Sequence, residues 1–426
     1  VIPHVTDLIK EFILNDVDDV DFALCEIGGT VGDIEALPFF EAIRQLGFEL
    51  GKERCSFLHL TLLPYISFAD EIKTKPTQHS VKELRSIGIQ PSVLLCRTEK
   101  DINEDIINKI AKMCSVTSDN VIAAPNASTI YDVPRIYHEQ GLDTQILKYF
   151  NLEYNKKIDL KKWNNIVKSI KNIKGEVNIA IVGKYNSYKD SYKSLLEAID
   201  HAAISLNYKA NIKWINARKL SKNVLEELKT IDAILVPGAF GEDGSNGKIE
   251  MIKYARENNV PYFGICFGMQ MAVIEYAKNI LKINDAISTE FGKEGQKLVG
   301  LMSDWLKNDT KISQDSSNLG GTMRLGSYPC KIQKNSLAHN IYKSENINER
   351  HRHRYEVNIN FKDKLEAAGL IFSGLSPDGS LTEIVEIKDH PFFIGVQFHP
   401  ELKSRPFCPH PIFIDFIKAA VQNKSS

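Results

Sequence analysis

Short apolar runs alternate with amphipathic segments along the first 150 residues. The runs are nearly continuous and rich in aliphatic residues, as is typical of parallel strands covered on both faces. They are DFALCEIGG (21–29), FLHLTLLPY (57–65) and PSVLLCR (91–97). Apolar residues at helical spacing lie between and after them, in segments 33–51, 80–88 and 105–114. This order predicts right-handed βαβ units.

A second series of the same kind begins near residue 177. Its predicted strands are 177–183, 211–217, 232–238 and 261–265, and its predicted helices are 190–205, 220–230 and about 248–258. The lysine-rich stretch 151–175 between the two series predicts a linker helix, although a solvated basic surface would have the same composition. We therefore predict an α/β protein with two doubly wound, mostly parallel sheets, divided into 1–150, the linker 151–175 and 176–426.

The amino-acid composition and charge of the chain argue against several classes of function. The 53 basic and 54 acidic side chains leave a net charge of −1, without the basic excess of proteins that bind nucleic acid or anionic membranes through charge alone. No window approaches the ~18 apolar residues of a membrane span, and the first residues lack a secretory signal. The seven cysteines are scattered, without CxxC pairs, so we expect a reducing, cytoplasmic location.

One cysteine occupies a setting that favours catalysis. In PYFGICFGMQ, Cys266 lies between an apolar strand and a helical run, with Gly264 and Gly268 on either side. This is the strand, tight turn and helix of a nucleophile elbow, and a helix amino terminus favours a thiolate. A buried, inert cysteine is the alternative suggested by residue type alone.

A thiolate nucleophile needs a general base, and the base needs an orienting group. FFIGVQFHPE supplies His399 at the end of a strand, with Glu401 two residues later, across a proline turn. An oxyanion hole is also required, and we expect it from backbone amides of the loop VPGAFG (236–241), with the amide of Phe267 as partner. The sequence thus predicts a Cys, His, Glu triad.

The strings GICFGMQ, VPGAFG and FHPE resemble the three signatures of class I glutamine amidotransferases. The resemblance implies a flavodoxin-like fold for this half and a cysteine that attacks the glutamine side-chain amide, forming a glutamyl thioester and ammonia. It also implies that the oxyanion and glutamine are held by Gly238, Ala239, Phe267, Gly268, Met269, Gln270, Glu290 and Arg354. For RHRHRYEV, which contains Arg354, an exposed basic strand edge is the alternative.

The first half resembles the synthetase domain of the CTP synthase family, a P-loop-type domain. The strings that carry this resemblance are EIGGTVGDIE (26–35) and KTKPTQHSVKELRSIGI (73–89). In the second half, LGGTMRLG (319–326) and ERHRHRYEVN (349–358) are similar to the same family. It implies that UTP, or CTP as inhibitor, is held by Asp33, Ile34, Glu35, Lys73, Thr74, Lys75, Pro76, Thr77, Gln78 and Lys109. It also implies that ATP lies near Pro125, Asn126 and Ala127.

The residues of these strings permit structural interpretations as well. Glu26 ends a predicted strand, at the sheet edge where such folds bind nucleotides and Mg²⁺; a surface or helix-capping glutamate is the alternative. Asp33 and Glu35 can simply begin a helix. KTKPTQ places two lysines and several hydrogen-bonding side chains in a loop suited to a triphosphate, or merely in a solvated loop.

The resemblance implies the reaction of UTP, ATP and glutamine to CTP, ADP, phosphate and glutamate. It further implies Mg²⁺ bound by Glu26, GTP as an activator near Phe240 and LGGTMRLG, and a homotetramer. Two alternatives are a glutaminase or γ-glutamyl hydrolase without a synthetase partner, and a non-catalytic filament or assembly subunit.

The sequence also departs from the family. The glycine-rich phosphate loop with which the family begins, and the aspartate that follows it, do not occur. We therefore expect this chain to be an amino-terminally truncated form that hydrolyses glutamine without making CTP. The oxyanion loop reads PGAF where the family usually has PGGF, and GEDGSNG (241–247) lacks an arginine expected for GTP.

Overall fold

The computed structural model describes residues 2–15, 17–153, 157–183, 189–220, 226, 228–292, 294–301 and 323–425. The chain forms two compact units, Val1–Val167 and Lys168–Ser426. Most of the predicted helix 220–230 and residues 319–322 of LGGTMRLG lie outside the described residues.

The first unit contains a small parallel sheet flanked by helices. Its strands are β1 (Leu58–Leu63), β2 (Tyr65–Ile66), β3 (Glu71–Ile72), β4 (Val93–Thr98) and β5 (Val121–Pro125). Its helices are α1 (His4–Leu14), α2 (Leu37–Leu50), α3 (Lys75–Ser86), α4 (Glu104–Cys114), α5 (Val133–Glu139) and α6 (Leu142–Tyr149), and α7 (Lys161–Lys171) crosses the boundary between the units. The sheet has the order β1-β4-β5, with parallel pairs throughout, while β2 and β3 form a separate antiparallel pair.

The central strand β4 is covered on both faces. Leu94 and Cys96 belong to the core cluster that includes residues of α3 and α4, whereas Val93 and Leu95 belong to a second cluster, with residues of β5, α5 and α6. Strands 57–65 and 91–97 are therefore confirmed as β1 and β4. The strand β5 was not predicted, although it is needed to complete the sheet.

The predicted strand at 21–29 is wrong. These residues form no strand, and Leu24 is 96% exposed. A parallel strand exists only where a neighbour completes its hydrogen bonds, and in the described part of this unit β4 pairs with β1 and β5 while nothing pairs with 21–29. An apolar run indicates a preference for burial, but it does not specify a pairing partner.

The second unit is built on a mixed sheet. Its strands are β6 (Gly175–Gly183), β7 (Tyr208–Asn216), β8 (Ala233–Val236), β9 (Tyr262–Ile265), β10 (Ala286–Ser288), β11 (Gln296–Gly300), β12 (Arg324–Ile332), β13 (Asn346–His353), β14 (Glu356–Val357), β15 (Leu370–Leu375), β16 (Thr382–Ile387) and β17 (Phe393–Val396). Its helices are α8 (Lys193–Ser205), α9 (Ser245–Glu257), α10 (Phe267–Asn279), α11 (Leu337–Tyr342), α12 (Lys362–Ala367) and α13 (Pro411–Ser425).

The large sheet of this unit has the order β13-β12-β15-β16-β17-β9-β8-β6-β7. The five strands from β17 to β7 are parallel, in the order of flavodoxin-like folds, and the other pairs are antiparallel. Along β8, Ile234 and Val236 join a core cluster on one face and Ala233 and Leu235 join a cluster on the other. This confirms the predicted α/β class with helices on both faces.

The topology determines where chemistry can occur. In open parallel sheets, ligands bind beyond the carboxyl ends of the strands. The loop VPGAFG follows β8, Cys266 follows β9 and His399 lies three residues after β17, and these three strands are neighbours in the sheet. No helix in the described residues combines the length and apolar character that crossing a membrane requires.

Candidate active site

Cys266 sits in a strained turn between β9 and α10. Its backbone has φ 51° and ψ −100°, a conformation that costs a non-glycine residue free energy and that recurs at functional sites. The turn is held by its neighbours, because the amide of Cys266 donates to the Val396 carbonyl at 2.7 Å. The residue is only 5% exposed, so Cys266 is almost fully enclosed by its neighbours.

The two flanking glycines are required by close packing. A Cβ atom on Gly268 would lie 2.1 Å from the carbonyl oxygen of Val236, and one on Gly264 would lie 2.8 Å from the carbonyl carbon of Gly268. The Tyr262 hydroxyl also donates to the Gly268 carbonyl at 2.9 Å. The start of α10 is therefore pressed against β8 and β9, and this contact sets the position of Cys266.

We expect Gly268→Ala to destabilise the second unit and to lower glutamine hydrolysis. The new methyl group would collide with the backbone of β8, and overpacking of this kind costs about 1–3 kcal/mol or more. Thermal unfolding and glutamate release measure the two effects. Gly292→Ala is the matched control, because a Cβ there meets nothing within 4 Å; equal stability of the two variants would contradict the close contact.

The structure brings His399 and Glu401 together. The Nδ1 atom of His399 lies 2.7 Å from Oε1 of Glu401, because Pro400 begins a short 3₁₀ turn that returns the glutamate toward the ring. The amide of His399 donates to the Arg350 carbonyl at 2.7 Å, which fixes the backbone.

The environment of His399 favours its charged form. Burial alone would lower the pKa of the imidazole, but the charge of Cys266, a hydrogen bond to that residue and the contact with Glu401 outweigh it and raise the pKa to about 11. Since Nδ1 faces Glu401, Nε2 is the atom available to the sulfur. His399 is therefore placed to hold, beside the sulfur of Cys266, the proton that a leaving group needs.

The loop after β8 passes beside this pair. A Cβ on Gly238 would lie 2.9 Å from Cε1 of His399 and 3.8 Å from Cβ of Cys266, so only glycine lets the loop approach so closely. Ala239 is not among the described non-glycine residues with positive φ, which explains why PGAF is accommodated. Oε1 of Glu290 accepts a hydrogen bond from the Gly241 amide at 2.7 Å. This bond stabilises the position of the loop VPGAFG.

Met269 and Gln270, expected to hold glutamine, are largely buried. Met269 is fully buried, and its side chain packs against Gly395. Met269 is therefore part of the hydrophobic core. Gln270 is 2% exposed, and its Nε2 donates to the Tyr355 carbonyl at 2.9 Å and to Oε1 of Gln397 at 3.2 Å. Arg354 is half-buried and directly precedes Tyr355.

The basic string RHRHRYEV has two different faces. Along β13, Arg350 and Arg352 are exposed, whereas His351 and His353 are buried. The alternative of a basic strand edge therefore holds for the two exposed arginines only. The period-two alternation of histidine and arginine was the available signal for this burial.

The buried face of β13 belongs to a charged cluster that the sequence analysis missed. Arg324 pairs with Glu356 at 3.2 Å and with Glu383 at 2.8 Å, and the rings of His351 and His353 contact each other at 2.9 Å. Burial raises the pKa of Glu356 to about 8, despite Arg324. Burial, with the charge of Arg324, lowers the pKa of His351 to about 2 and of His353 to about 3. Both rings are therefore neutral beside the catalytic pair.

In the first unit, KTKPTQ is not the predicted loop. Lys75 begins α3, and Pro76 is in its first turn, where a fixed φ and a missing N–H suit a helix start. A helix amino terminus next to lysine is a suitable site for phosphate. The Thr77 hydroxyl is buried and donates to the Leu62 carbonyl at 3.0 Å, so it ties α3 to β1.

Two of the three lysines of the expected UTP site act on the Glu71 carboxylate. Nζ of Lys73 lies 2.5 Å from Glu71, and Lys73, together with Lys109, lowers the pKa of Glu71. Gln78 donates to Oγ1 of Thr74 at 3.0 Å, within the first turn of α3.

Asp33, Ile34 and Glu35 form a tight turn before α2. Oδ2 of Asp33 accepts from the Thr30 amide at 3.0 Å, which agrees with a structural role at the helix start, and the Ile34 side chain is 81% exposed. The proposed ATP residues lie at the end of β5 and directly after it. There Oδ1 of Asn126 accepts from Arg97 at 3.3 Å, and Pro125 and Ala127 are half-buried.

Glu26 does not fit the predicted magnesium site. It is exposed and follows no strand, since the strand expected at 21–29 is absent. Among the residues that the structure describes, no three His, Cys, Asp or Glu side chains converge as metal ligands. Carboxylate oxygens usually share Mg²⁺ with substrate phosphates, and a single exposed glutamate does not form such a site.

Comparison with known proteins covers both halves. Residues 1–152 match the family described as CTP synthase N-terminus, and residues 187–419 match glutamine amidotransferase class-I. The chain is 58% identical to CTP synthase of Paramagnetospirillum magneticum over 99% of this chain and 78% of that protein. It is 55% identical to CTP synthase of Pelagibacter ubique over 100% of this chain and 79% of that protein.

A solved structure resembles the second half. The glutaminase domain of the Trypanosoma brucei CTP synthase, with bound acivicin, is 38% identical and has a TM-score of 0.52. The match covers 58% of this chain and 94% of that domain. The two family matches, the curated relatives and this domain agree, and the chain therefore belongs to the CTP synthase family, with a class I glutamine amidotransferase domain as its second half.

Proposed function

We propose that this chain hydrolyses L-glutamine at Cys266 and that, in the complete reaction of its family, the ammonia aminates UTP to CTP, with ATP consumed. The observation that carries the proposal is the contact of His399 with Glu401 at 2.7 Å beside a strained Cys266. Membership of the CTP synthase family supplies UTP and ATP as the other substrates. A stand-alone glutaminase does not account for the match to the CTP synthase N-terminus. A non-catalytic subunit does not account for His399 lying between Glu401 and Cys266.

The first half-reaction follows from the geometry. The Cys266 thiolate forms a bond to the side-chain amide carbon of glutamine, and the backbone amides of Gly238, Ala239 and Phe267 receive the negative charge on oxygen. His399 passes its Nε2 proton to the amide nitrogen, the C–N bond breaks, and ammonia leaves a glutamyl thioester. His399 then takes a proton from water, which attacks the thioester and releases glutamate with the thiolate restored.

Glutamine itself carries two charges that this site can match. Arg354 suits the α-carboxylate, because guanidinium forms paired hydrogen bonds with carboxylates. Glu290 suits the α-ammonium group, and its bond to the Gly241 amide would couple glutamine binding to the loop that holds the oxyanion. Phe267 and Gly268 line the same turn.

In the second half-reaction, ATP converts the 4-oxo oxygen of UTP into a leaving group. The 4-oxo oxygen of UTP attacks the γ-phosphorus of ATP, ADP departs, and ammonia then displaces the phosphate from carbon 4. Lys73 and Lys75, at the start of α3, and Lys109, in α4, would bind the UTP triphosphate, or CTP as an inhibitor. The family also suggests Mg²⁺, but since the described residues do not form a site for it, we assign it no step.

Regulation and assembly are proposed from the family. They comprise activation by GTP near Phe240 and the 319–326 segment, a homotetramer, and a cytoplasmic location. The seven cysteines are all free, which agrees with a reducing compartment.

The glutaminase half of the proposal is tested by glutamate release from L-glutamine, with D-glutamine as a control for recognition of the α-carbon groups. We expect release from the L-isomer only, and its loss in Arg354→Ala through a raised KM. No release from L-glutamine by the folded chain would refute the assignment.

We expect Lys75→Ala to weaken UTP binding while glutamine hydrolysis continues. The lysine adds a point charge at a helix start, and its contribution should shrink at high salt. UTP titration by calorimetry at low and high ionic strength measures this. Lys82→Ala, an exposed lysine further along α3, is the control, and equal UTP affinity in the two variants at low salt would contradict the site.

A further inference from the structure

Gln397 touches the catalytic sulfur, and the reaction as described gives it no role. It directly follows β17, lies two residues before His399 and is fully buried. Its Nε2 lies 3.7 Å from Sγ of Cys266, within the longer range of hydrogen bonds to sulfur. A buried amide facing a buried sulfur must either donate to it or lose a hydrogen bond.

The orientation of this amide is determined by a chain of contacts. The Tyr355 carbonyl can only accept, so the atom of Gln270 that faces it at 2.9 Å must be Nε2. The same Nε2 faces the Gln397 amide at 3.2 Å, so the Gln397 atom there must be the acceptor, Oε1. The nitrogen of Gln397 is then turned toward Cys266, and a flipped amide would set two donors against each other.

We infer that Gln397 is a second hydrogen-bond donor to the Cys266 thiolate, oriented by Gln270 and the Tyr355 carbonyl. The inference deepens the proposed function, in which Cys266 is the nucleophile. Hydrogen bonds to a charged partner are stronger than neutral ones, and an amide donor stabilises the thiolate relative to the thiol.

The role of Gln397 differs from that of His399. The histidine gives its proton to the departing amide nitrogen, and it is then a base rather than a donor at the sulfur. Gln397 has no proton to transfer, so its N–H remains a donor at every stage. When water cleaves the thioester and sulfur becomes a leaving group, this donor receives the returning negative charge.

The test is the pH dependence of Cys266 alkylation by iodoacetamide, followed by mass spectrometry of the peptide that contains Cys266. The peptide mass distinguishes alkylation of Cys266 from alkylation of the exposed Cys25 and Cys408. In Gln397→Met we expect the alkylation midpoint to rise by about one pH unit, equivalent to about tenfold less thiolate at a fixed lower pH. In Gln397→Glu we expect a larger rise, because a carboxylate repels the thiolate.

Two further variants separate this role from a structural one. Tyr262→Phe removes a buried hydrogen bond of the same elbow that does not touch the sulfur, and it should leave the midpoint unchanged. Gln270→Met should raise the midpoint less than Gln397→Met, since it only releases the orientation of the donor. Circular dichroism confirms the fold of each variant, and the nearly isosteric Gln397→Glu remains informative if the Met variant does not fold.

An unchanged midpoint in folded Gln397→Met and Gln397→Glu would overturn the inference, and so would an equal rise in Tyr262→Phe. Alkylation needs no glutamine turnover, so the result is readable even in a chain without glutaminase activity. Failure of the inference is thereby distinguishable from failure of the proposed function.

Discussion

Cys266→Ala is expected to abolish glutamine hydrolysis, with a loss on the order of 10⁶ in turnover, as in other triads that lose the nucleophile. The reason is structural: in the described residues, Cys266 alone among the cysteines combines a strained elbow, His399 and the glycine loop. Glutamate release, measured by a coupled dehydrogenase, reports the loss.

Cys330→Ala is the matched control. Cys330 is also buried, but burial and nearby glutamates raise the pKa of its thiol, so it remains an unreactive thiol. Its replacement should leave the catalytic rate unchanged within a fewfold. Comparable glutamate release by Cys266→Ala and the unchanged chain would exclude Cys266 as the nucleophile.

His399→Ala should lower the kcat of glutamine hydrolysis nearly as much as Cys266→Ala does. Glu401→Gln should retain a kcat roughly 10- to 100-fold higher than that of His399→Ala. His399 carries the proton that the leaving nitrogen needs, while Glu401 orients the ring and stabilises its charge. Steady-state kcat for the three variants, with circular dichroism as a fold control, measures this order. Greater residual activity in His399→Ala than in Glu401→Gln would contradict the assigned roles.

The contact between His399 and Glu401 also predicts how the rate of glutamine hydrolysis depends on pH. Glu401 is one of the groups that raise the pKa of His399 to about 11, so its neutralisation lowers that pKa. The imidazolium is then lost at a lower pH as the solution becomes alkaline, and the alkaline fall in glutaminase rate should move to lower pH in Glu401→Gln. A rate profile from neutral to strongly alkaline pH shows the direction.

The nucleophile elbow could be predicted because its requirements are local. A strand, a turn between two glycines and a helix are adjacent in sequence, and the contact of Gly268 with Val236 forbids a side chain there. Likewise, His399 and Glu401 are only two residues apart. Signals of this kind need no knowledge of distant packing.

Features that depend on distant partners could not be predicted. The run at 21–29 has the composition of a strand but no pairing neighbour, and Leu24 is exposed as a result. The burial of Arg324 follows from Glu356 and Glu383, which are 32 and 59 residues away in sequence. Gln397 is 131 residues from Cys266, so no motif could link the two.

The outer strand of the large sheet, β13, both resists the addition of another strand and anchors the catalytic histidine. A sheet edge with free backbone groups invites another chain to add a strand and begin aggregation. On β13, the carbonyl of Arg350 is already bonded to the amide of His399, and that of Asn348 accepts from Lys403. The exposed Arg350 and Arg352 add charge to the same strand. An added strand would therefore have to displace His399 from its own backbone anchor, so resistance to aggregation at this edge and retention of the catalytic base depend on the same hydrogen bond.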